Sequence, residues 1–128
     1  MVLKIINATE MKVGTNILID GVAYTVRMID ISKTGKHGHA KARVEAVGII
    51  KGQKKVFVTP GHEKIEVPLV EKRKAQVLSI GEKVNLMDLE NFENFDVPIP
   101  EGLKGEIKEN STVEYWNVEG ERIIKRKL

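Results

Sequence analysis

The sequence predicts an all-β protein built as two small barrels. Three observations carry that reading. Apolar and polar residues alternate with a period of two along most of the chain, tight-turn dipeptides recur between the alternating runs, and no stretch has the spacing of an amphipathic helix of ordinary length. Many short strands with frequent turns and no fixed repeat are the pattern of small barrels.

Taken in order, Asn16 to Ile19 reads as a short strand, and Asp20-Gly21 turns it into a long one. In that long strand Val22, Tyr24, Val26 and Met28 alternate with Ala23, Thr25, Arg27 and Ile29, and it ends near Ile31. Ala40 to Gly48 follows, with Ala42, Val44 and Ala46 alternating with Lys41, Arg43 and Glu45, so the residues between the two strands form a hairpin tip. Lys54 to Thr59 and Lys64 to Val67 are further strands, separated by a Pro60-Gly61 turn. Pro68 and the basic run Lys72-Arg73-Lys74 mark a boundary, dividing the chain into domains over 1–70 and 71–128. The second set of strands is Ala75 to Ser79, Lys83 to Asp88 and Asp96 to Ile99, with a turn at Gly81. Leu103 to Glu109 is expected to form one or two helical turns, and Thr112 to Val118 with Arg122 to Lys127 closes the chain as a hairpin around Glu119-Gly120. Roughly five strands with a short helix late in the order fit an OB-fold.

Composition narrows the function. The chain has 128 residues and no cysteine, which excludes disulfides, thiolate zinc sites and cysteine nucleophiles. The opening Met1-Val2-Leu3-Lys4-Ile5-Ile6-Asn7 lacks the apolar stretch of a signal peptide, and charges interrupt every apolar run, so no membrane segment and a cytoplasmic location are expected. The net charge of +3 is unevenly spread: residues 1–70 hold eleven Lys and Arg against six Asp and Glu, and residues 71–128 hold ten against twelve. A basic front half fits contact with a polyanion, and equally two differently solvated surfaces.

That basic character concentrates in Ser32-Lys33-Thr34-Gly35-Lys36-His37-Gly38-His39-Ala40-Lys41. No acidic residue lies between Asp30 and Glu45, whereas Lys33, Lys36, Lys41 and Arg43 all do. The run cannot bury itself and reads as an exposed loop with Lys36 at its centre. Gly35 and Gly38, lacking Cβ, let the chain turn and leave the lysine uncrowded. A solvated hairpin tip is the plain alternative. Against it stands the crowding of like charge, since a tip built for stability favours Asn, Asp or Ser.

Other chemistries fit less well. A phosphate-binding P-loop requires Ser or Thr where His37 stands and a glycine where Asp30 stands. Zinc requires three or four ligands, and His62 is the only histidine besides His37 and His39. No pattern marks a triad among Ser32, Ser79 and Ser111. Stacking on single-stranded nucleic acid calls for aromatics among the basic residues, yet Phe92, Phe95, Tyr115 and Trp116 all fall in the back half. Tyr115 and Trp116 are strand neighbours, so at most one of them faces the core. No catalytic residue is assigned, and the chain is expected not to be an enzyme.

The loop Ser32-Lys33-Thr34-Gly35-Lys36-His37-Gly38-His39-Ala40-Lys41 closely resembles the signature of the translation initiation factor 5A family, the hypusine-containing factors, in their archaeal form. Thr59-Pro60-Gly61-His62, Glu71-Lys72-Arg73-Lys74-Ala75-Gln76-Val77 and Met87-Asp88-Leu89-Glu90 extend the resemblance over nearly the whole chain. Asp30-Ile31 departs from the Ser-Thr pair of eukaryotic members without touching the central lysine. Bacterial elongation factor P is a more distant relative with a third domain. The resemblance implies an SH3-like barrel over 1–70 followed by an OB-fold over 71–128. It implies that Lys36 is modified by deoxyhypusine synthase, which uses NAD to move an aminobutyl group from spermidine onto the lysine nitrogen, with hydroxylation to hypusine in some members. This chain would then be the substrate and bind no cofactor itself. The resemblance also implies partners, namely the ribosome and its RNA and the acceptor end of peptidyl-tRNA. The implied activity is promotion of peptide-bond formation at stalls such as consecutive prolines, and of termination. Lys33, Thr34, Gly35, His37, Gly38, His39, Lys41 and Arg43 would contact RNA around the modified lysine. A generic RNA-binding protein with a merely cationic loop is the competing reading.

Overall fold

A computed structural model describes residues 2–33 and 39–128. The chain divides into two compact units, Met1–Leu69 and Val70–Leu128. Among the described residues all regular structure is strand apart from two 3-10 turns, and no helix is long and apolar enough to cross a membrane.

The first unit is one six-stranded sheet. Its strands are β1 (Val2–Asn7), β2 (Asn16–Ile19), β3 (Val22–Lys33), β4 (Ala40–Gly48), β5 (Lys54–Pro60) and β6 (Lys64–Pro68), with a 3-10 turn at Ala8–Glu10. They lie in the order β1-β6-β2-β3-β4-β5. Asp20 and Gly21 join β2 to β3 with φ of 51° and 78°, the two positive values that a tight hairpin turn of matching twist demands. The core gathers Met11, Ile17, Tyr24, Val26, Ala42, Val44, Ala46 and Ile65. The alternation predicted for β4 holds along its length, with Ala42, Val44 and Ala46 fully buried and Lys41 and Arg43 exposed.

On β3 the predicted alternation fails halfway. The pairing with β4 steps from Val26↔Ala46 to Met28↔Glu45, a bulge that adds Arg27 as an extra residue. A bulge reverses the phase of every side chain beyond it. Ile29 therefore packs on the core, while Met28, expected on the face of Tyr24 and Val26, is exposed. Strand β1 is a further element that the alternation does not predict. It lies at a sheet edge, pairs only with β6 and is largely exposed, so it carries no period-two pattern to read.

The second unit contains β7 (Val70–Ile80), β8 (Lys83–Asp88), β9 (Asn94–Pro98), β10 (Thr112–Val118) and β11 (Glu121–Lys127), in the sheet order β11-β10-β7-β8-β9. The two ends of that order meet. Arg122 of β11 reaches Glu93 at 2.8 Å and lies 4.1 Å over the Phe95 ring of β9. The first strand is thus flanked by the second and fourth, and the fifth lies beside the third, which is the closure of a five-stranded Greek-key barrel. Two expectations need correction. Lys72-Arg73-Lys74 is not a boundary segment but part of β7, paired with Trp116, Tyr115 and Glu114 of β10. The helical turns expected over Leu103 to Glu109 reduce to a 3-10 turn at Glu101–Leu103, and Gly105 at φ 81° ends the helical path.

Arg73 shows why a basic run can be a strand. Its Nε donates to the Asp88 carboxylate at 2.6 Å and a guanidinium nitrogen donates to the same carboxylate at 3.2 Å. Asp88 is fully buried and also accepts from the Tyr115 hydroxyl and from the backbone N–H groups of Glu90 and Asn91 at 2.8 and 3.1 Å. The Arg73 guanidinium, foremost, and these other donors hold the Asp88 carboxyl well below the usual carboxylate range. Burial and the bond to Asp88 push the Tyr115 hydroxyl up to about 12. Of the neighbouring aromatics, Tyr115 is in the core, while Trp116 is half-buried with Lys72 and Lys125 over its ring at 4.7 and 4.8 Å.

Candidate functional site

The long hairpin of β3 and β4 outgrows the core. Register runs from Tyr24↔Gly48 to Ser32↔Lys41 and Lys33↔Ala40. The last residues of β3, Asp30 to Lys33, are all exposed, and of the residues opposite them on β4 only Ala42 is still buried. The ladder is therefore extended and paired as far as Lys33 and Ala40. Strand pairing fixes which side chains share a face. Ser32 and Lys41 lie on one face with Asp30 and Arg43, while Lys33 lies on the other face with Ile31.

The root of this hairpin is braced from a second direction. The turn after β5 brings Gly61 against the start of β4, where its N–H donates to the Ala40 carbonyl at 2.8 Å. Thr9 N–H donates to the Gly61 carbonyl at 3.2 Å, tying in the 3-10 turn of residues 8–10. No side chain fits at position 61: a Cβ there would stand 2.7 Å from Thr9 Cγ2 and 3.1 Å from both the Cβ and the carbonyl oxygen of Ala40. Next to it the His62 and His39 rings meet edge to face with centroids 6.0 Å apart. Gly61→Ala is expected to destabilise the first unit by about 2 kcal/mol through overpacking, readable as a lower denaturation midpoint at unchanged slope.

Of the residues singled out in the sequence, the structure describes Lys33, His39, Lys41 and Arg43, and all four are exposed. Thr34, Gly35, Lys36, His37 and Gly38 lie outside the described residues. The four are not equivalent. Arg43 stands opposite Asp30 across the ladder and reaches Glu45 at 3.5 Å, so the stretch free of acid in sequence is not free of acid in space. Glu45 in turn meets Lys54 at 3.1 Å, and the bonds to Lys54 and Arg43 hold its carboxyl below the ordinary value. Lys33 and Lys41 form no ion pair among the described residues and carry the positive charge of the root. Among those residues no group of His, Asp and Glu comes together to hold a metal.

The sequence marks Gly61 and His62 as a turn and as part of the family resemblance, but nothing in it ties them to the hairpin. The signal that they belong to the hairpin root is three-dimensional, because β5 must first pair with β4 to bring Pro60 beside Lys41.

Comparison with known proteins matches this arrangement along the chain. Residues 4–63 match the family model described as translation initiation factor 5A-like, N-terminal. Translation initiation factor 5A of Methanothermobacter thermautotrophicus is 46% identical over 124 residues, which covers 96% of this chain and 95% of that protein. A solved structure described as eukaryotic translation initiation factor 5A from Methanococcus jannaschii superposes with a TM-score of 0.88 at 44% identity, covering 98% of this chain and 94% of the other. A translation initiation factor 5A family protein from Naegleria fowleri superposes with a TM-score of 0.80 at 28% identity, covering 99% of each chain. The architecture is accordingly an SH3-like barrel followed by an OB-fold. With both units matched and the sequence shared at this level, the chain belongs to the translation initiation factor 5A family, a family of translation factors.

Proposed function

We propose that this chain acts in the cytoplasm on the ribosome beside peptidyl-tRNA, and that Lys36, lengthened by a spermidine-derived aminobutyl group, is its working residue. Deoxyhypusine synthase makes that modification with NAD, so both small molecules belong to the enzyme and the chain itself binds no cofactor. The lengthened side chain carries a second amine and reaches into a narrow, phosphate-lined cavity near the tRNA acceptor end. Its effect is positional: it steadies the reacting end and favours a productive geometry at slow steps such as consecutive prolines and termination. Lys33, Thr34, Gly35, His37, Gly38, His39, Lys41 and Arg43 contact RNA around it.

The observation that carries this reading is the braced hairpin root, where beyond its bulge the ladder stays in register from Met28↔Glu45 to Lys33↔Ala40 and Gly61 clamps Ala40 from the side. A tip that works by position needs a stiff support, whereas a tip that only supplies charge does not. The pairing of Arg43 with Glu45 also disfavours a diffuse cationic patch. Reconstituted synthesis through a run of prolines tests the proposal. Protein carrying the modification is expected to restore synthesis, and protein made in a host without the modifying enzyme is expected to fall short of it. Equal activity of the two would overturn the role given to the modification.

A further inference from the structure

Phe92 is placed where the fold has no use for it. It closes the turn between β8 and β9, donating its N–H to the Asp88 carbonyl at 2.9 Å, with φ of 61°. The left-handed residue that ends such a hairpin loop is ordinarily glycine, because a Cβ there crowds the following carbonyl. Phe92 is 69% exposed and its ring stacks on no aromatic or cation among the described residues, and Leu89 of the same turn is also exposed.

The turn beneath it is rigid. The Asp88 carboxylate accepts the N–H groups of Glu90 and Asn91, and Glu93 N–H donates to Asn91 Oδ1 at 2.8 Å. Arg73 reaches Glu90 at 3.2 Å and Arg122 reaches Glu93 at 2.8 Å. The arginine side chains are tucked in at 22% and 27% exposure, while Glu90 and Glu93 stand out at 79% and 49%. An aromatic and a leucine are thus presented on a stiff support in one turn with two ion pairs whose glutamates are the more exposed partners. Those outward carboxylates repel a phosphate backbone and complement a basic protein surface.

We infer that Phe92 and Leu89 dock into an apolar socket rimmed by Lys or Arg on a partner protein. Resting on the function proposed above, that partner is a basic protein of the ribosome. The strained, exposed aromatic is the anchor, and the glutamates select a cationic rim.

Two measurements test this on the full chain with ribosomes from the native cell. Phe92→Gly relaxes the left-handed backbone, so its melting midpoint is expected at or above that of the wild type, while its affinity for ribosomes falls about tenfold or more. A photoreactive benzoylphenylalanine at position 92 is expected to crosslink to one positively charged ribosomal protein. Wild-type affinity in Phe92→Gly, a lowered melting midpoint accompanying the loss, crosslinking to RNA, or no crosslink would each overturn the inference alone. A wild-type chain that does not bind ribosomes at all would overturn the proposed function, and this inference with it.

Discussion

Lys36→Arg is expected to reduce stimulation of proline-run synthesis to the level seen without the factor. Arginine keeps the positive charge, so a cationic patch would hardly notice the change. It cannot serve as the acceptor nitrogen for an aminobutyl group, and its planar, delocalised guanidinium is a different ligand from an ammonium on a flexible stem. The sequence reads as an exposed loop here, so stability is expected to stay within about 0.5 kcal/mol. Lys41→Ala is the control. Lys41 is exposed, forms no ion pair among the described residues and lies opposite Ser32 at the root. Its loss is expected to weaken ribosome binding and to flatten the salt dependence by about one unit of slope, with the stimulation still measurable at saturating protein. Proline-run synthesis and binding titrations over a range of salt read these two outcomes separately.

Asp88→Asn is expected to destabilise the second unit by about 3 kcal/mol, the size of effect seen when one partner of a buried ion pair is removed. The amide keeps the shape of the side chain but cannot accept from Arg73, Tyr115 and two backbone N–H groups at once. Thermal denaturation should show the midpoint of this unit falling by on the order of 15 °C, whereas Tyr115→Phe, which removes one hydroxyl, should cost only about 1 kcal/mol.

The same network sets a pH dependence. The folded Asp88 carboxyl sits below its unfolded value of 3.8, so its contribution is fully present above that value and is lost as pH falls through the folded one. Tyr115 is raised from 10.0 to about 12, so its contribution is present below pH 10.0 and is lost as pH rises through about 12. Denaturation midpoints followed from pH 2 to 5 should fall toward acid in the wild type and fall less steeply in Asp88→Asn.

Much of this molecule was legible because two-residue alternation survives wherever a strand has one buried face. On β4 the alternation of Ala42, Val44 and Ala46 with Lys41, Arg43 and Glu45 alone gave the strand, its limits and its inward face. Asp20-Gly21 and Glu119-Gly120 marked their hairpins because both residues of each pair adopt positive φ. What escaped was set by tertiary contacts. The bulge beyond Val26 turned Met28 outward, and no composition rule marks it. The edge strand Val2–Asn7 lacked alternation because it has little to bury. Lys72-Arg73-Lys74 reads as a connector because Asp88, which neutralises its central arginine, is brought to it only by the fold. At the candidate site, the basic loop stood out through charge and glycine content. The brace supplied by Gly61 and His62 did not, since a proline-glycine turn reads the same whatever it packs against.

Peptide mass spectrometry across Lys36, on protein purified from its native cell, tests the central claim most directly. The account predicts an aminobutyl adduct, or its hydroxylated form, on Lys36 and on no other lysine. A wholly unmodified Lys36 in active native protein would contradict it and leave the loop as a cationic RNA contact.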